Sequence, residues 1–391
     1  MIHVFLNGLA ASAGGGLTYL RNVVPHLSLR DDVRTTVAVS PRIRQEFGEL
    51  PGVSFLATEI AGGAGRRFWQ EQRLLPRLIQ QSGADVLISA GNFALRKSPV
   101  PQILLSRNSL YTSADFFRDL RSRRNYKLWL DTRIKATLAK RSIRWADRTV
   151  APSAAFADEL RRWTGRNIVS IHHGFDHEAF FRDATPFSDE IQRKFDGTSG
   201  DLKLLFVSHY NYYRNFETLF RAMPLLRDRL NGKVKLVLTC SLRSEANPGS
   251  YQAEEAAALV QELGISDNVV ELGSVPYSSL HHVYRACDIY VTSAYAESFA
   301  HPLVEAMSSG LPVIASDLSV HREICGSAAL FFNRFSASAL AETVLQLAGS
   351  AEKQRELSGA GTRRAGEFSW KAHVAAIVEL SRSLVPGETQ S

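Results

Sequence analysis

The chain has 391 residues, 45% of them hydrophobic and 22% charged, with a formal charge of +7. That length exceeds what one hydrophobic core usually fills, so two domains of about 150 to 200 residues are expected. The composition is that of an ordinary globular protein, no apolar run approaches the ~20 residues that span a bilayer, and the opening Met1-Ile2-His3-Val4-Phe5-Leu6-Asn7 reads as a strand rather than a secretion signal. A cytoplasmic location is therefore the expectation. Cys240, Cys287 and Cys325 are far apart, with no paired cysteines or histidine cluster at ligand spacing, and read as buried reduced thiols without a metal. The charge is lopsided: residues 66–166 carry +13 and the remainder −6, which points to an anionic partner for the N-terminal half.

After the first strand, residues 8–20 are rich in small residues, with Gly14, Gly15 and Gly16 adjacent. Tyr19 stands where a dinucleotide fingerprint needs its last glycine, so the spacing does not make a nicotinamide site. A loop into a helix is expected there. Further strands are read at 35–39, 53–57, 86–89, 103–106 and 149–151, with helices between them. Such alternation predicts a parallel, doubly wound sheet.

The pattern changes over 115–148, where Phe116, Phe117, Tyr126, Trp129 and Trp145 interleave with Arg118, Arg121, Arg123, Arg124, Lys127, Lys135, Lys140, Arg141 and Arg144. Three readings stand: a solvated basic face, an anionic membrane surface, or nucleic acid. No recognisable nucleic-acid module accompanies the charge, and nucleic acid is not counted among the expected partners. In the membrane reading Phe116, Phe117 and Trp129 insert, while Arg121, Arg123, Arg124 and Lys127 carry the attraction. Residues 183–200 read as a polar interdomain linker. A second set of strands follows at 203–208, 234–239, 269–272, 289–292, 313–315 and 330–332, and the tail after Pro386 reads as disordered.

The densest signal lies at 288–316. β-branched runs at both ends, Pro302 placed for a first helical turn and Gly310 for its stop predict strand, loop, short helix and strand. Glu297 then falls in the loop and Glu305 in the first turn. A loop leaving a buried parallel strand for a helix N-terminus suits a phosphate. Carboxylates repel phosphate and accept hydrogen bonds from hydroxyls, so the combination suits a sugar nucleotide.

That context, ESFAHPLVEAMSSGLPVIAS at 297–316 followed by HREICG at 321–326, resembles the signature of two glutamates flanking seven residues in the family 4 retaining glycosyltransferases (glycosyltransferase group 1). ADRTVAPS at 146–153, IHHGFD at 171–176 and EFSW at 367–370 also resemble that family. The resemblance implies an α/β GT-B fold, two Rossmann-like domains facing each other across a cleft. It implies an acceptor-binding domain at 1–182, a linker at 183–200, a donor-nucleotide domain at 201–370, and a helix at 371–391 returning to the first domain. It assigns Glu297 to the donor sugar and Glu305 to the ribose, with Ser298, Phe299, Ala300, His301 and Leu303 around them.

Arg214 falls where the family has a lysine on the donor diphosphate, and a guanidinium can pair bidentately with phosphate oxygens. Ser208 and His209 replace a Gly-Arg pair, and His209 supplies charge there only when protonated. Ala300 stands where the family usually has glycine. On the acceptor or cleft side the resemblance points to Gly14, Gly15, Gly16 and His173, with Arg107 and Asn108 where a histidine is usual. His172 and His173 can equally cap backbone. The implied reaction is transfer of a hexose from a nucleotide diphosphate sugar to a saccharide or lipid-linked acceptor, with retention and with no metal or other cofactor. The HHG-x-D and HRE-x-x-G stretches favour GDP-mannose and surface polysaccharide, with peripheral association at the inner face of the cell membrane. The alternatives are a sugar nucleotide epimerase or hydrolase on the same fold, or a non-catalytic anion-binding protein.

Overall fold

The computed structural model describes residues 1–11, 14–59, 62–183, 185–249 and 251–385. The chain divides into two compact units. The first comprises Met1–Thr112, Leu130–Gly174 and Ser369–Ser391, and the second Ser113–Trp129 with Phe175–Phe368.

The first unit holds β1 (Ile2–Asn7), β2 (Val33–Val39), β3 (Val53–Ala57), β4 (Val86–Ser89), β5 (Gln102–Leu105), β6 (Arg148–Ala151) and β7 (Val169–Ser170), in the order 3-2-1-4-5-6-7. The second holds β8 (Leu202–Phe206), β9 (Val234–Leu238), β10 (Val269–Glu271), β11 (Ile289–Thr292), β12 (Val313–Ser316) and β13 (Ala329–Phe332), in the order 10-9-8-11-12-13. Neighbouring strands pair in parallel, as β1 does with β2 and β4, and β11 with β8 and β12. Helices cover both faces of such sheets, so the central strands are apolar throughout, and every residue of β1, β4, β11 and β12 is buried. The strand order reverses between β1 and β4 and again between β8 and β11. Those switch points open a crevice beyond the carboxyl ends of the strands.

The expected strands are present to within two residues at either end. β7, only two residues long, is too short to leave a pattern. Near it Gly174 is required: a Cβ there would lie 2.0 Å from the Trp370 nitrogen. The helix Trp370–Arg382 then buries Trp370, Val374, Ile377 and Val378 in the core of the first unit. The tail after Pro386 lies outside the described residues.

Two expectations need correcting. Residues 183–200 are not a free linker: Ser188 caps a helix, Asp189–Asp196, that buries Ile191 and Phe195, and Phe187 stacks on Phe195 at 5.3 Å. The division between units falls instead after Gly174 and after Phe368.

The second correction concerns 113–129, which belongs to the second unit despite its place in the sequence. Ser113 caps the helix Ala114–Ser122, whose Phe116 and Leu120 are buried. Phe116 meets Tyr213 edge-on at 6.2 Å, and Asp119 accepts the Tyr295 hydroxyl at 2.6 Å. Arg123 pairs with Asp119, Glu217 and Glu255 while lying over the Tyr212 ring. Phe117 and Trp129 pack on each other at 6.4 Å. Phe116 is therefore enclosed and unavailable for insertion into a bilayer, Phe117 and Trp129 are half-buried against each other, and Arg123 is not a surface cation.

Cys240, Cys287 and Cys325 are free and buried, and burial pushes the Cys240 and Cys325 thiols up to about 12. Among the described residues no helix is long and apolar enough to cross a membrane, and no three His, Cys, Asp or Glu side chains are grouped to hold a metal ion.

Candidate donor site at the second switch point

The loops leaving β8 and β11 are joined to each other. The Tyr295 amide donates to the Tyr213 carbonyl at 2.9 Å. Ser293 Oγ lies 2.8 Å from the Asn215 carbonyl and 3.0 Å from that of Arg214, donating to this pair. Asn215, left-handed at φ 55, donates its side-chain amide to the carbonyls of Ser293 and Arg334. An asparagine tolerates that backbone region better than most residues, and the turn it makes starts the helix Phe216–Arg229.

This stitching sets Arg214 against Glu297. Arg214 Nη1 donates to Glu297 Oε2 at 2.5 Å, and Glu297 Oε1 accepts the Ser298 amide at 3.0 Å. Their side chains are only 18% and 12% exposed, so each charge depends on the other. Burial alone would raise the Glu297 pKa, but the Arg214 charge and the Ser298 amide outweigh it and hold the carboxyl below its ordinary value. Burial likewise works against the Arg214 charge, and Glu297 reverses the balance, keeping the guanidinium protonated.

His321 is fully enclosed beside them, its Nδ1 3.0 Å from the Ser316 carbonyl. Burial lowers its pKa to about 4 against the opposing pull of Glu297. The imidazole is therefore neutral near pH 7.

Glu305 sits in the helix His301–Ser308 as its fifth residue, just past the first turn expected for it. It is 5% exposed, and the Tyr284 hydroxyl donates to its Oε2 at 2.8 Å. Burial raises its pKa to about 7, the Tyr284 bond partly offsetting the effect. Ala300, just before this helix, is left-handed at φ 68 and accepts the Leu303 amide at 3.0 Å. A side chain there costs about 1 kcal/mol. Ala300→Gly is accordingly expected to raise stability by about 1 kcal/mol, seen as a higher urea midpoint at unchanged slope. An unchanged midpoint would mean the turn is not strained.

The other donor-side residues fall in different settings. Phe299 packs against Phe368 and His301 at 5.5 and 4.8 Å. Leu303 is fully buried, so its side chain belongs to the core rather than to a ligand surface. His209 lies at the loop rim, where its surroundings and the Arg214 charge lower its pKa. It is neutral near pH 7 and does not replace the missing arginine.

In the first unit, Gly14, Gly15 and Gly16 form the first turn of the helix Gly14–Ser28 rather than a loop. Arg107 donates to the Gly15 carbonyl at 3.1 Å and to that of Ala90, joining the exits of β1 and β4, and lies over the Tyr19 ring. His173 packs with Tyr19, Trp370 and His373 at 5.4 to 5.6 Å. Asn108 caps the short turn Ser109–Tyr111 by accepting the Leu110 amide. Arg107 and His173 thus gather around Tyr19, whereas Asn108 serves its own backbone.

Residues 187–364 match the family described as glycosyl transferases group 1, and residues 13–179 match glycosyltransferase family 4. The chain belongs to the family 4, group 1 glycosyltransferases.

The D-inositol 3-phosphate glycosyltransferase of Nocardia farcinica is 28% identical over 251 residues, 60% of this chain and 52% of that protein. The protein of the same name from Segniliparus rotundus is 27% identical over 148 residues, 37% of this chain and 32% of that one. The chain thus spans about a third to a half of the curated relatives it matches. Among solved structures, sucrose-phosphate synthase from Thermosynechococcus elongatus has a TM-score of 0.75 at 18% identity, covering 98% of this chain and 99% of that one. HepE from Anabaena in complex with UDP-glucose has a TM-score of 0.72 at 18% identity, covering 98% and 100%. These likenesses establish the two-domain α/β GT-B class.

Three residues of this glycosyltransferase-family site escape a reading by pattern: Asn215, Ser293 and Tyr284. Ser293 and Asn215 carry a faint signal as polar residues beside a strand end and a helix start. Tyr284 carries none, because a buried aromatic looks like core until its hydroxyl is placed, and His321, read only as part of the 321–326 stretch, gave no hint of its burial beside the ion pair.

Proposed function

We propose that this chain is a retaining glycosyltransferase that moves a hexose from a nucleoside diphosphate sugar to a hydroxyl of a saccharide or lipid-linked saccharide in surface polysaccharide synthesis. The observation that carries the reading is the buried Arg214–Glu297 pair at the exits of β8 and β11, with Glu305 buried nearby in the helix that follows. In this reading Arg214 and the helix N-terminus after Ala300 offset charge on the departing diphosphate. Glu297 holds donor-sugar hydroxyls, and Glu305 accepts from the ribose. The acceptor oxygen bonds to the anomeric carbon on the face from which the diphosphate leaves. The anomeric C–O bond breaks, and a departing phosphate oxygen takes the acceptor proton. No protein nucleophile and no metal enter this scheme. The first unit takes the acceptor, at the inner face of the cell membrane.

Mannose is the hexose favoured, through the resemblance at 171–176 and 321–326. UDP-glucose, held by HepE, is the natural competitor in a test. Release of nucleoside diphosphate from GDP-mannose and UDP-glucose, measured with and without a saccharide acceptor, checks the proposal. Acceptor-stimulated release with a retained anomeric configuration is expected. Equal release without acceptor would identify a hydrolase, and an inverted product would overturn the retaining scheme.

A further inference from the structure

One surface of the first unit is both cationic and apolar. The helix Ala64–Ser82 turns Leu75 and Ile79 into the core against Phe5 and Leu87. Its opposite face presents Arg66, Trp69, Arg73 and Arg77, spaced three to four residues apart and all exposed. Trp69 is 66% exposed. The one acidic residue of this helix, Glu71, points inward to Asn7, so no carboxylate of the helix itself stands among these arginines.

A second helix, Tyr126–Trp145, runs into the first unit from Leu130 onward. It buries Ala136, Ala139 and Ile143 and exposes Leu130 and Ile134, 55% and 61% open and one turn apart. Arg141 and Arg144 are exposed along the same side, and Asp131 is neutralised by Lys135 at 2.6 Å.

The first helix joins β3 to β4 and the second lies between β5 and β6, stepping the same way across the sheet. Right-handed crossovers therefore put both on one face. Phe68, Phe93 and Tyr111 connect them, at 6.0 and 6.4 Å between successive rings, and Tyr111 feels the charges of both Arg67 and Asp131.

We propose that these two helix faces form a docking surface for an anionic lipid bilayer. The proposal rests on the reading of a lipid-linked acceptor and names the surface that would bring it to the protein. Five arginines would attract any polyanion. Trp69, Leu130 and Ile134 narrow the choice, because a nucleic-acid backbone offers large apolar side chains no partner, whereas the headgroup boundary of a bilayer takes tryptophan and aliphatic residues beside arginine. The surface expected at 115–148 shares its later helix with this one, but its first part does not: Phe116, Arg123 and their neighbours are used inside the second unit.

Sedimentation with phosphatidylcholine vesicles, with and without phosphatidylglycerol, tests the proposal in the absence of nucleotide, so its outcome is independent of catalysis. Wild type should bind only the anionic vesicles and be released by salt. Each arginine is expected to contribute about fivefold, so the Arg66→Ser, Arg73→Ser, Arg77→Ser triple variant should lose about a hundredfold. A Trp69→Ser, Leu130→Ser, Ile134→Ser variant should also bind more weakly, while a blue shift of tryptophan emission on binding should shrink in Trp69→Phe. All these side chains are exposed, so folding, checked by circular dichroism, should be preserved. Absence of binding by wild type at low salt, or unchanged binding by both triple variants, would overturn the proposal. So would salt-sensitive binding to duplex DNA without vesicle binding, or a dimer in solution that the Trp69→Ser triple variant abolishes.

Discussion

Arg214→Ala is expected to lower kcat/KM by about two orders of magnitude or more, because a desolvated, charge-assisted contact to a departing phosphate contributes most in the transition state. The structure adds a second cost. Removing the guanidinium leaves Glu297 buried without its cation, so its pKa should rise and its hold on sugar hydroxyls should weaken. Arg214→Lys keeps the charge and should recover a good part of the loss. Because the two side chains act as a pair, Arg214→Ala combined with Glu297→Gln should be little worse than Arg214→Ala alone. Steady-state kinetics on the four proteins of this cycle and on Arg214→Lys provide the check. Both Arg214 variants near wild type would remove the residue from the site, and additive losses would mean the ion pair has no functional coupling.

Glu305→Gln and Glu297→Gln should fail in different ways. Glu305→Gln is expected to weaken free nucleoside diphosphate binding, a contact made equally in ground and transition states. Glu297→Gln should leave that binding almost intact and cut turnover, since the free diphosphate lacks the sugar. The pH dependence separates them further. Burial places the Glu305 pKa near about 7, and the ionised carboxylate is the better acceptor for ribose hydroxyls. Nucleotide affinity should therefore rise with pH through about 7, level off above, and weaken below by up to about tenfold per pH unit. Tyr284, Tyr277 and Tyr290 lie near Glu305 but are themselves raised by burial, so they stay neutral in this range. Tyr284→Phe removes a donor that favours the charged carboxylate and should move the midpoint upward. Glu305→Gln should abolish this pH dependence. Titration calorimetry across pH would show a reversed assignment directly: a Glu297→Gln protein that loses nucleotide while Glu305→Gln does not.

Much of the second unit was legible because its physics is local. Apolar β-branched runs bounded by Gly and Pro specify buried parallel strands, and Pro302 and Gly310 bound a helix wherever the chain goes. Glu297, Glu305 and Arg214 could be singled out because motif spacing survives without coordinates, and the fold then buries Glu297 against Arg214 and encloses Glu305. Other features depended on which side chains meet across long sequence separations. Helical spacing marks Phe116 and Leu120 as apolar, but only the fold puts them, with Arg123, in the second unit against Tyr213, Glu217 and Glu255. Charge counting found the basic stretch yet could not tell a paired arginine from an exposed one. It therefore missed that the open cationic face includes Arg66, Trp69, Arg73 and Arg77. The raised pKa of Glu305 and the neutrality of His209 and His321 follow from desolvation and neighbouring charge. Sequence determined which polar and titratable groups stand at the exits of β8 and β11. Tertiary structure decided which are charged, which are paired and which are merely packed, because burial and partner distance, rather than residue type, set those energies.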